Sequence, residues 1–456
     1  MKTTFKKFSK IFFVSGLVIF LFLLSCNPKS SEIKYQEVKH PEWSKNLSMY
    51  EVNIRQYTPE GTFNAFAEHL PRLKELGTDI LWLMPIHPIG EKNRKGSMGS
   101  YYAVQDYYGI NPEFGTEEDF RNLVAKIHEL DMYVIIDWVA NHTAWDNELI
   151  NSHPDWYKKD TLGNIIAPVD DWTDVAGLNY EIPELHDYMI DALKFWVEDF
   201  NIDGYRCDVA EMVPVEFWNR ARYELDKVKP VFMLAEADNP ELNEYAFDMT
   251  YAWSSHFLWN EIAQGKKSID DLENQFKDEK TKYKSSDYRL NFTSNHDENS
   301  WKGSAIERLG EATKAFAVLS VTSPGMPLLY SGQEACIEKR LLFFEKDTIN
   351  WEKECCLNDL YKALFKLKKE NPALWNGDFG GSMERIQTNA DDKIFAFSRI
   401  KNEHTVITIL NLSQGNVEFE LINPIENKNL KELFTQEEVT NKYNLKAWDY
   451  KIFKTE

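Results

Sequence analysis

The run Gly204-Tyr205-Arg206-Cys207-Asp208-Val209-Ala210 has the character of a buried β-strand that ends in charged residues. Successive side chains of a strand point to opposite faces, so Arg206 and Asp208 share one face. A cation at this distance favours the ionised form of a carboxylic acid. On these residues alone, Asp208 is either a nucleophile or one half of a structural ion pair, and the rest of the chain must decide.

Strand-like and helix-like stretches alternate along the chain from Met49 onward. The strand-like stretches are residues 50–54, 80–85, 133–137, 202–208 and 232–236. Helix-period stretches separate them, one of which begins with a capping-box pattern at Thr116 and Asp119. This alternation predicts a parallel sheet closed by crossover helices, and 456 residues suit one large barrel with a smaller satellite domain. We therefore predict an α/β fold with a (β/α)8 TIM barrel.

Two segments do not follow the barrel pattern. Residues 142–179 are rich in Asp, Trp, Asn and Gly and are too long for a bare loop, so we predict a short excursion domain after the third strand. Residues 371–456 contain alternating apolar and polar stretches, which predict a C-terminal antiparallel β-sandwich domain. The catalytic barrel then comprises residues 41–141 and 180–370.

The first 40 residues predict export and a lipid anchor. Residues 1–25 combine four lysines, a short apolar stretch and a small residue before Cys26, a pattern typical of a secretory signal peptide rather than of a spanning helix. The run Leu23-Leu24-Ser25-Cys26 resembles a bacterial lipobox and implies lipidation of Cys26, with an ordinary membrane anchor as the alternative. Polar residues 26–40 suit a tether. We therefore expect a membrane-anchored lipoprotein that is periplasmic or on the cell surface.

Charge and cysteine usage bear on the partners and the compartment. The net charge of −21 argues against a nucleic-acid partner. The cysteines beyond the signal region show no spacing typical of a metal site or a disulfide framework, so we expect them to be free. They are Cys207, Cys336, Cys355 and Cys356. Neither feature indicates an oligomeric state.

Four strand ends carry polar residues. A packed core does not tolerate isolated charges, so we expect these residues to belong to one functional site. In a (β/α)8 barrel the carboxyl ends of all strands converge at one face. We therefore expect carboxylates, two histidines and an arginine around one pocket, and they come from residues 137–142, Arg206 with Asp208, Glu236, and His296 with Asp297.

These four segments resemble, in order and spacing, the four signature regions of the α-amylase family of glycoside hydrolases. Residues 77–85, 102–107 and 323–334 are similar to further landmarks of that family, so the resemblance extends over residues 47–334. It implies a retaining hydrolase that cleaves α-1,4-glucosidic bonds in starch, maltodextrins or maltooligosaccharides through a covalent glycosyl-enzyme intermediate. The partner would be an α-glucan, and the chemistry would require no cofactor.

The resemblance also implies roles for individual residues. Asp208 takes the place of the nucleophile, Glu236 that of the general acid/base and Asp297 that of the third carboxylate. Arg206 would favour ionised Asp208, whereas acidic neighbours would disfavour ionised Glu236. The sugar at the cleavage site would be held by His142, His296 and Asp297 and would stack on Tyr102.

The sequence leaves the roles of Asn141 and Asp137 open. Asn141 matches a family position that binds calcium, which makes it a candidate metal ligand. Its candidate partners are Asp170, Asp171 and Asp174, although an acidic loop of this kind is usually just solvated. Asp137 either braces the site from behind or takes part in the chemistry.

Glu211 and Met212 depart from the family pattern. Many members have a Lys-His pair at this place, which contacts the sugar on the leaving-group side. We therefore expect Glu211 and Met212 to bind substrate, and two alternatives stay open. One is an α-1,6-active or transglycosylating relative similar to neopullulanase, and the other is a catalytically silent glycan-binding protein.

Overall fold

The computed structural model describes residues 33–353, 355–425 and 429–455. The chain forms two compact units, residues 1–35 and 36–456, and every element below belongs to the second. The predicted signal peptide and Cys26 lie outside the described residues. In the part of the chain that is described, none of the helices has the length and apolar character needed to cross a bilayer.

His40 marks the point where the chain joins the barrel. Its Nδ1 lies 2.9 Å from Oδ1 of the buried Asp248, and its ring stacks on Tyr288 with centroids 4.2 Å apart. Residues 33–40, the described part of the predicted tether, have no regular secondary structure. The last residue of the predicted tether is therefore already fixed to the folded domain.

Eight parallel strands close into a barrel, which confirms the predicted (β/α)8 fold. They are β1 (Met49–Val52), β2 (Ile80–Leu83), β3 (Tyr133–Trp138), β4 (Gly204–Cys207), β5 (Phe232–Ala235), β6 (Met249–Tyr251), β7 (Tyr288–Phe292) and β8 (Met326–Tyr330). Each strand pairs with the next, and β8 closes the ring on β1. Buried apolar side chains of these strands form one cluster inside the ring. The polar residues at the strand ends therefore lie directly above this apolar core.

Helices connect the strands, as the alternating pattern predicts. The longer ones are Leu70–Leu76, Glu117–Glu129, Pro183–Phe200, Val215–Leu225, Trp253–Ala263, Ile269–Lys282, Thr313–Thr322 and Cys356–Glu370. Shorter ones are Ile54–Tyr57, Phe63–Ala67, Leu149–Ser152, Glu241–Tyr245 and Ala305–Leu309. The predicted capping box is present, because the Asp119 N–H donates to the Thr116 hydroxyl at 3.2 Å and the Thr116 N–H donates to the Asp119 carboxylate at 2.8 Å.

Gly204 allows β4 and β5 to approach each other closely. Its φ is 151°, and a Cβ atom at this position would lie 1.9 Å from the carbonyl oxygen of Phe232 in β5. Any side chain would therefore push β5 away. Since Asp208 and Glu236 directly follow these two strands, the glycine keeps the two carboxylates side by side.

The excursion segment and the C-terminal domain form antiparallel sheets. In the excursion segment, His142–Ala144 pairs with Val175–Gly177. In the C-terminal domain a five-stranded and a two-stranded sheet share one apolar core, which confirms the predicted antiparallel β domain. The larger sheet contains Met383–Ile386, Ile394–Lys401, His404–Asn411, Leu430–Glu432 and Tyr450–Thr455, and the smaller one contains Val417–Glu420 and Lys442–Leu445.

Cys336 and Cys355 form a disulfide, so the expectation of free cysteines is wrong for this pair. Their Cα atoms lie 5.6 Å apart although 19 residues separate them in sequence. The segment after β8 returns to the start of the helix Cys356–Glu370, a proximity in space that cysteine spacing does not reveal. Of the other cysteines that the structure describes, Cys207 is free and buried and Cys356 is free and exposed.

Candidate active site

A cavity of about 430 Å³ opens at the carboxyl ends of the barrel strands. The predicted site residues that line it are Tyr102, His142, Asp208, Glu236, His296 and Asp297. They come from segments as far apart in sequence as the loop after β2 and the loop after β7, and the barrel brings them to one face. Arg206 is fully buried and contacts two of them directly.

Glu211 and Met212 lie outside the residues that line this cavity. They belong to the short turn Ala210–Met212 after β4, and both are exposed. The Met212 Sδ atom lies 3.9 Å from Nδ2 of Asn141. The two residues are therefore on the surface next to the cavity rather than in it.

Arg206 holds three carboxylates at once. Its Nη1 donates to Oδ1 of Asp137 at 2.8 Å and to Oδ1 of Asp208 at 3.0 Å. Its Nη2 forms an ion pair with Oε2 of Glu236 at 2.9 Å. The guanidinium also lies over the ring of Trp82, 5.0 Å from its centroid. A single planar cation thus fixes the relative positions of all three acids.

Burial raises the pKa of Asp208 well above its usual value. The charge of Arg206 acts in the opposite direction but does not offset burial and the neighbouring carboxylates. Arg206 thus favours ionised Asp208, as predicted, but burial and then the excess of acids over cations outweigh it. The cations are Arg206 and His296, and the acids are Glu51, Asp137, Asp208, Glu236 and Asp297. Burial and the repulsion between these carboxylates raise the pKa values of Glu51, Asp137 and Asp208.

Val209 has a left-handed backbone conformation, with φ 37° and ψ 48°. β-branched residues rarely adopt it, and such strain is typical of functional sites. The turn ends β4 directly after Asp208 and directs the Val209 N–H to Oε2 of Glu236 at 2.8 Å. Val209 therefore links the backbone next to Asp208 to the carboxylate of Glu236.

Asp297 is the most exposed of the three predicted catalytic carboxylates, with 38% of its side chain accessible against 10% for Asp208 and 11% for Glu236. Trp301 donates from Nε1 to its Oδ1 at 3.2 Å, and Nε2 of His296 lies 3.4 Å from its Oδ2. Two cavity-lining side chains thus orient Asp297 from either side.

Glu51 in β1 is a charged residue of the site that the sequence analysis missed. It is fully buried, and its Oε1 lies 2.5 Å from Nδ1 of His296. Nε2 of the same ring lies 2.8 Å from the Tyr102 hydroxyl, which in turn donates to Asp137 at 3.0 Å. A glutamate within the apolar strand Met49–Val52 was the available signal, because a buried charge needs a partner.

His296 is an imidazolium at neutral pH. Burial acts to lower its pKa, but the charges of Asp297 and Glu51 outweigh burial and raise the pKa to about 9. Both ring nitrogens therefore donate. Nδ1 is used by Glu51, whereas Nε2 faces Tyr102 and Asp297 inside the cavity.

His142 has the opposite protonation state. Burial lowers its pKa to about 3, so the imidazole is neutral. Its Nδ1 lies 3.3 Å from Nδ2 of Asn141, and its ring meets Trp172 with centroids 5.5 Å apart. A neutral imidazole both donates and accepts, which suits a sugar hydroxyl.

Two of the candidate calcium ligands make contacts within the protein. The Asn141 amide nitrogen lies near His142 Nδ1 and Met212 Sδ, on the side of the amide opposite to the oxygen that a calcium ion would use. Of the acidic cluster, Asp174 is paired with Lys95 at 3.0 Å. Within the described ranges no three His, Cys, Asp or Glu side chains are grouped as a metal site.

The sequence matches the family model "Alpha amylase, catalytic domain" over residues 31–165 and 169–376. Among curated relatives, Alpha-amylase 3 of Dictyoglomus thermophilum is 26% identical over 92% of this chain and 94% of its own. The Maltogenic alpha-amylase of Bacillus acidopullulyticus is 26% identical over 90% of this chain and 78% of its own.

Two solved structures share the architecture over their whole length. The noncanonic maltogenic alpha-amylase of Thermotoga neapolitana is 31% identical with a TM-score of 0.83, covering 91% of this chain and 99% of that one. An alpha-amylase of Lactobacillus plantarum is 30% identical with a TM-score of 0.81, covering 91% of this chain and all of the other. The family match spans most of the chain and includes every carboxylate of the cavity, and the chain therefore belongs to the alpha-amylase family of glycoside hydrolases.

Proposed function

We propose that this protein is a retaining hydrolase of α-1,4-glucosidic bonds in starch, maltodextrins or maltooligosaccharides. The observation that carries the proposal is the shared guanidinium of Arg206, which holds Asp208 on one terminal nitrogen and Glu236 on the other. Retention requires two carboxyl groups about 5–5.5 Å apart, and a common partner holds such a pair at short range. A cavity that also contains Asp297, His142 and His296 suits a glucosyl unit.

The contacts of the two acids suggest which oxygens react. Arg206 uses Oδ1 of Asp208, so Oδ2 would attack the anomeric carbon and form the glycosyl-enzyme bond. The recorded contacts of Glu236 both use Oε2, so Oε1 would carry the proton that the leaving oxygen takes as its bond to the sugar breaks. Glu236 would then remove a proton from water, whose oxygen attacks the anomeric carbon and releases Asp208.

The remaining cavity residues would hold the sugar. The Tyr102 ring lines the cavity and offers an apolar face for stacking. The His296 imidazolium would donate to a sugar hydroxyl, while the neutral His142 can donate or accept. An α-glucan as substrate is supported by the names of the relatives, which include a Maltogenic alpha-amylase and a Cyclomaltodextrinase.

The test is the release of reducing sugar from maltooligosaccharides by wild type, Asp208→Asn and Glu236→Gln. We expect both variants to lose at least about 1,000-fold in kcat, because each lacks a group that acts in the transition state. Glu241→Gln, an exposed acid on a barrel helix, is the matched control and should retain full activity. A wild type without hydrolysis, or an active Asp208→Asn variant, would sink the proposal.

Two further measurements test the mechanism and the bond preference. The first product seen by NMR should be the α-anomer, and a 5-fluoroglucosyl fluoride should add one glycosyl mass to wild type but not to Asp208→Asn. A β-anomer would indicate inversion. Digestion of pullulan and panose separates α-1,4 from α-1,6 cleavage, and transfer products longer than the substrate would indicate transglycosylation.

We also propose that the protein is exported and held at a membrane by a lipid on Cys26. The Cys336–Cys355 disulfide supports export, because structural disulfides persist in oxidising compartments. Metabolic labelling with a radioactive fatty acid should label wild type and leave Cys26→Ser unlabelled. The variant should then appear in the soluble fraction, and a variant that stays with the membrane would contradict the lipid anchor.

A further inference from the structure

Three loop segments line the cavity beyond the predicted site residues. They are residues 94–99 after β2, residues 171–174 of the excursion segment and residues 343–345 after β8, here called the closing wall. Lys95, Trp172, Phe343 and others of this wall line the same cavity as Asp208 and Glu236. None of them belongs to the set that performs the chemistry proposed above.

Lys95 joins the first two segments of the closing wall. Its ammonium lies 3.0 Å from Oδ1 of Asp174 and donates to the carbonyl oxygen of Asp171 at 2.7 Å. The Asp174 side chain is largely buried, whereas Lys95 keeps one third of its side chain accessible. A loop of the barrel and the excursion segment are therefore tied together across the cavity.

Backbone and side-chain contacts join the first segment to the third. The Met98 N–H donates to the carbonyl oxygen of Phe344 at 3.1 Å, and the Ser97 N–H donates to Oε1 of Glu345 at 2.8 Å. Gly96 packs so closely that a Cβ atom there would lie 2.5 Å from Cβ of Phe344. The two segments are thus in direct contact.

The closing wall rests on a buried arginine and is not a loose lid. Arg55 is 1% exposed, and it donates to the carbonyl oxygens of Gly99 at 3.0 Å and Met98 at 3.2 Å. Phe343 continues the wall to Trp301, with ring centroids 5.2 Å apart, and Trp301 holds Asp297. The wall therefore reaches without interruption from the excursion segment to a predicted catalytic carboxylate.

The position of the closing wall in the ring identifies the end of the cleft that it blocks. Two of its segments follow β2 and β8, which flank β1, whereas Glu236 follows β5 on the opposite side of the eight-stranded ring. A general acid lies beside the leaving group, so the part of the glucan that leaves extends toward β5. The wall accordingly stands over the other part, the one that carries the non-reducing end.

We propose that the closing wall blocks the non-reducing side of the cleft, so that the enzyme takes α-glucan chains by their non-reducing ends and releases short products, with Lys95 as the residue that keeps this side shut. The proposal rests on the hydrolysis proposed above. A cleft open at both ends would admit the middle of a chain, whereas a cleft closed at one end admits only a terminus. A block on the terminal sugar should then abolish productive binding.

The test compares two maltoheptaose derivatives that carry the same chromophore at the reducing end. One has a free non-reducing end, and the other carries a 4,6-O-ethylidene group there. Products are separated and quantified directly, without a coupling enzyme. We expect wild type to cleave the blocked substrate at least about tenfold more slowly than the free one. Lys95→Ala and Glu345→Ala, which cut two different links of the wall, should each raise the ratio of blocked to free cleavage at least about threefold.

Lys126→Ala is the matched control, because Lys126 is an exposed lysine on the barrel helix Glu117–Glu129 and faces Glu68 rather than the closing wall. It should leave the ratio unchanged. Equal cleavage of both substrates by wild type would overturn the closed end while leaving the hydrolysis proposal intact. Cleavage of neither would overturn the hydrolysis proposal itself. A wild type that needs a free end, together with unaltered ratios in both variants, would overturn the assignment of this property to the wall.

Discussion

Replacing Glu51 by Gln should lower the pKa of His296 and narrow the pH range of activity. The amide keeps the shape of the side chain and an acceptor oxygen for Nδ1 of His296, which now lies 2.5 Å from the carboxylate. Only the charge is lost. The groups that still face the ring are Asp297, which raises its pKa, Arg206, which lowers it, and the hydroxyl of Tyr102.

The size of the shift follows from the contact. An opposite charge at this distance changes a pKa by about 1–3 units, so the pKa of His296 should fall from about 9 to between about 6 and about 8. Each unit corresponds to about 1.4 kcal/mol, so Glu51 favours the imidazolium by roughly 1.4–4 kcal/mol. At pH 7 a pKa in this range leaves between about one tenth and about nine tenths of His296 protonated in the variant, against nearly all of it in wild type.

The assay is kcat/KM for a maltooligosaccharide across the pH range around 9, with Glu241→Gln as the control. The upper limb of the profile should move to lower pH in Glu51→Gln only. Thermal unfolding gives a second readout. The pKa of His296 in the folded protein is raised, so its stabilisation is complete below the unfolded pKa of about 6.5 and disappears as the pH rises through about 9. In the variant this loss should end at a lower pH.

A purely structural role for Glu51 would give a different result. The unfolding temperature would fall at every pH by the same amount, and the upper limb of the activity profile would stay in place. Glu51→Asp, which restores the charge at a greater distance, should recover part of the wild-type profile. If neither the upper limb of the activity profile nor the pH at which stability is lost moves in Glu51→Gln, the argument that Glu51 sets the charge of His296 is refuted.

Three other substitutions have expected outcomes. Asp208→Asn should raise the free energy of unfolding at neutral pH by about 0.5–2 kcal/mol while abolishing hydrolysis, because burial and neighbouring acids disfavour the charge of Asp208. Arg206→Lys should lower it by about 3–5 kcal/mol, because a lysine cannot bridge three carboxylates. Joint replacement of Cys336 and Cys355 by Ser should lower it by about 2–4 kcal/mol, because the closed loop is released.

Urea unfolding measures the free energy of unfolding of all three variants, and each variant has its own control. The gain in Asp208→Asn should vanish at acidic pH, where wild type is protonated at this residue, and a gain that persists there would contradict the electrostatic reason. For Arg206→Lys, stability equal to wild type would show that the bridge is dispensable. A reducing agent should destabilise wild type but not the double cysteine variant, and equal effects on both would contradict the role of the disulfide.

The sequence could predict those parts of the site in which a local pattern carries the information. β5 is an apolar run followed directly by Glu236, and β4 is followed directly by Asp208. One short stretch of sequence therefore predicts both the strand and the carboxylate at its end. Helix starts such as Thr116 depend on neighbouring residues and were equally accessible. By contrast, β6 has only three residues, Met249–Tyr251, which is too short for an alternating pattern.

The missed features depend on contacts between distant residues. Glu51 and His296 are separated by 245 positions, and the two cysteines meet only because the segment after β8 turns back. The raised pKa of Asp208 is a property of the whole cluster, because it results from burial and from several acids around Arg206. A motif names the residues of such a cluster, whereas their charges depend on how the barrel packs them.

The crowding of acids around Arg206 also has an evolutionary consequence. A duplicated gene that no longer needs catalysis would gain stability from the Asp208→Asn substitution predicted above, which also removes the proposed nucleophile. Tyr102, His142 and His296 would remain as a ready-made binding surface for glucan. By this reasoning one substitution would convert this hydrolase into a glucan-binding protein, whereas the reverse change would have to restore a carboxylate that burial disfavours.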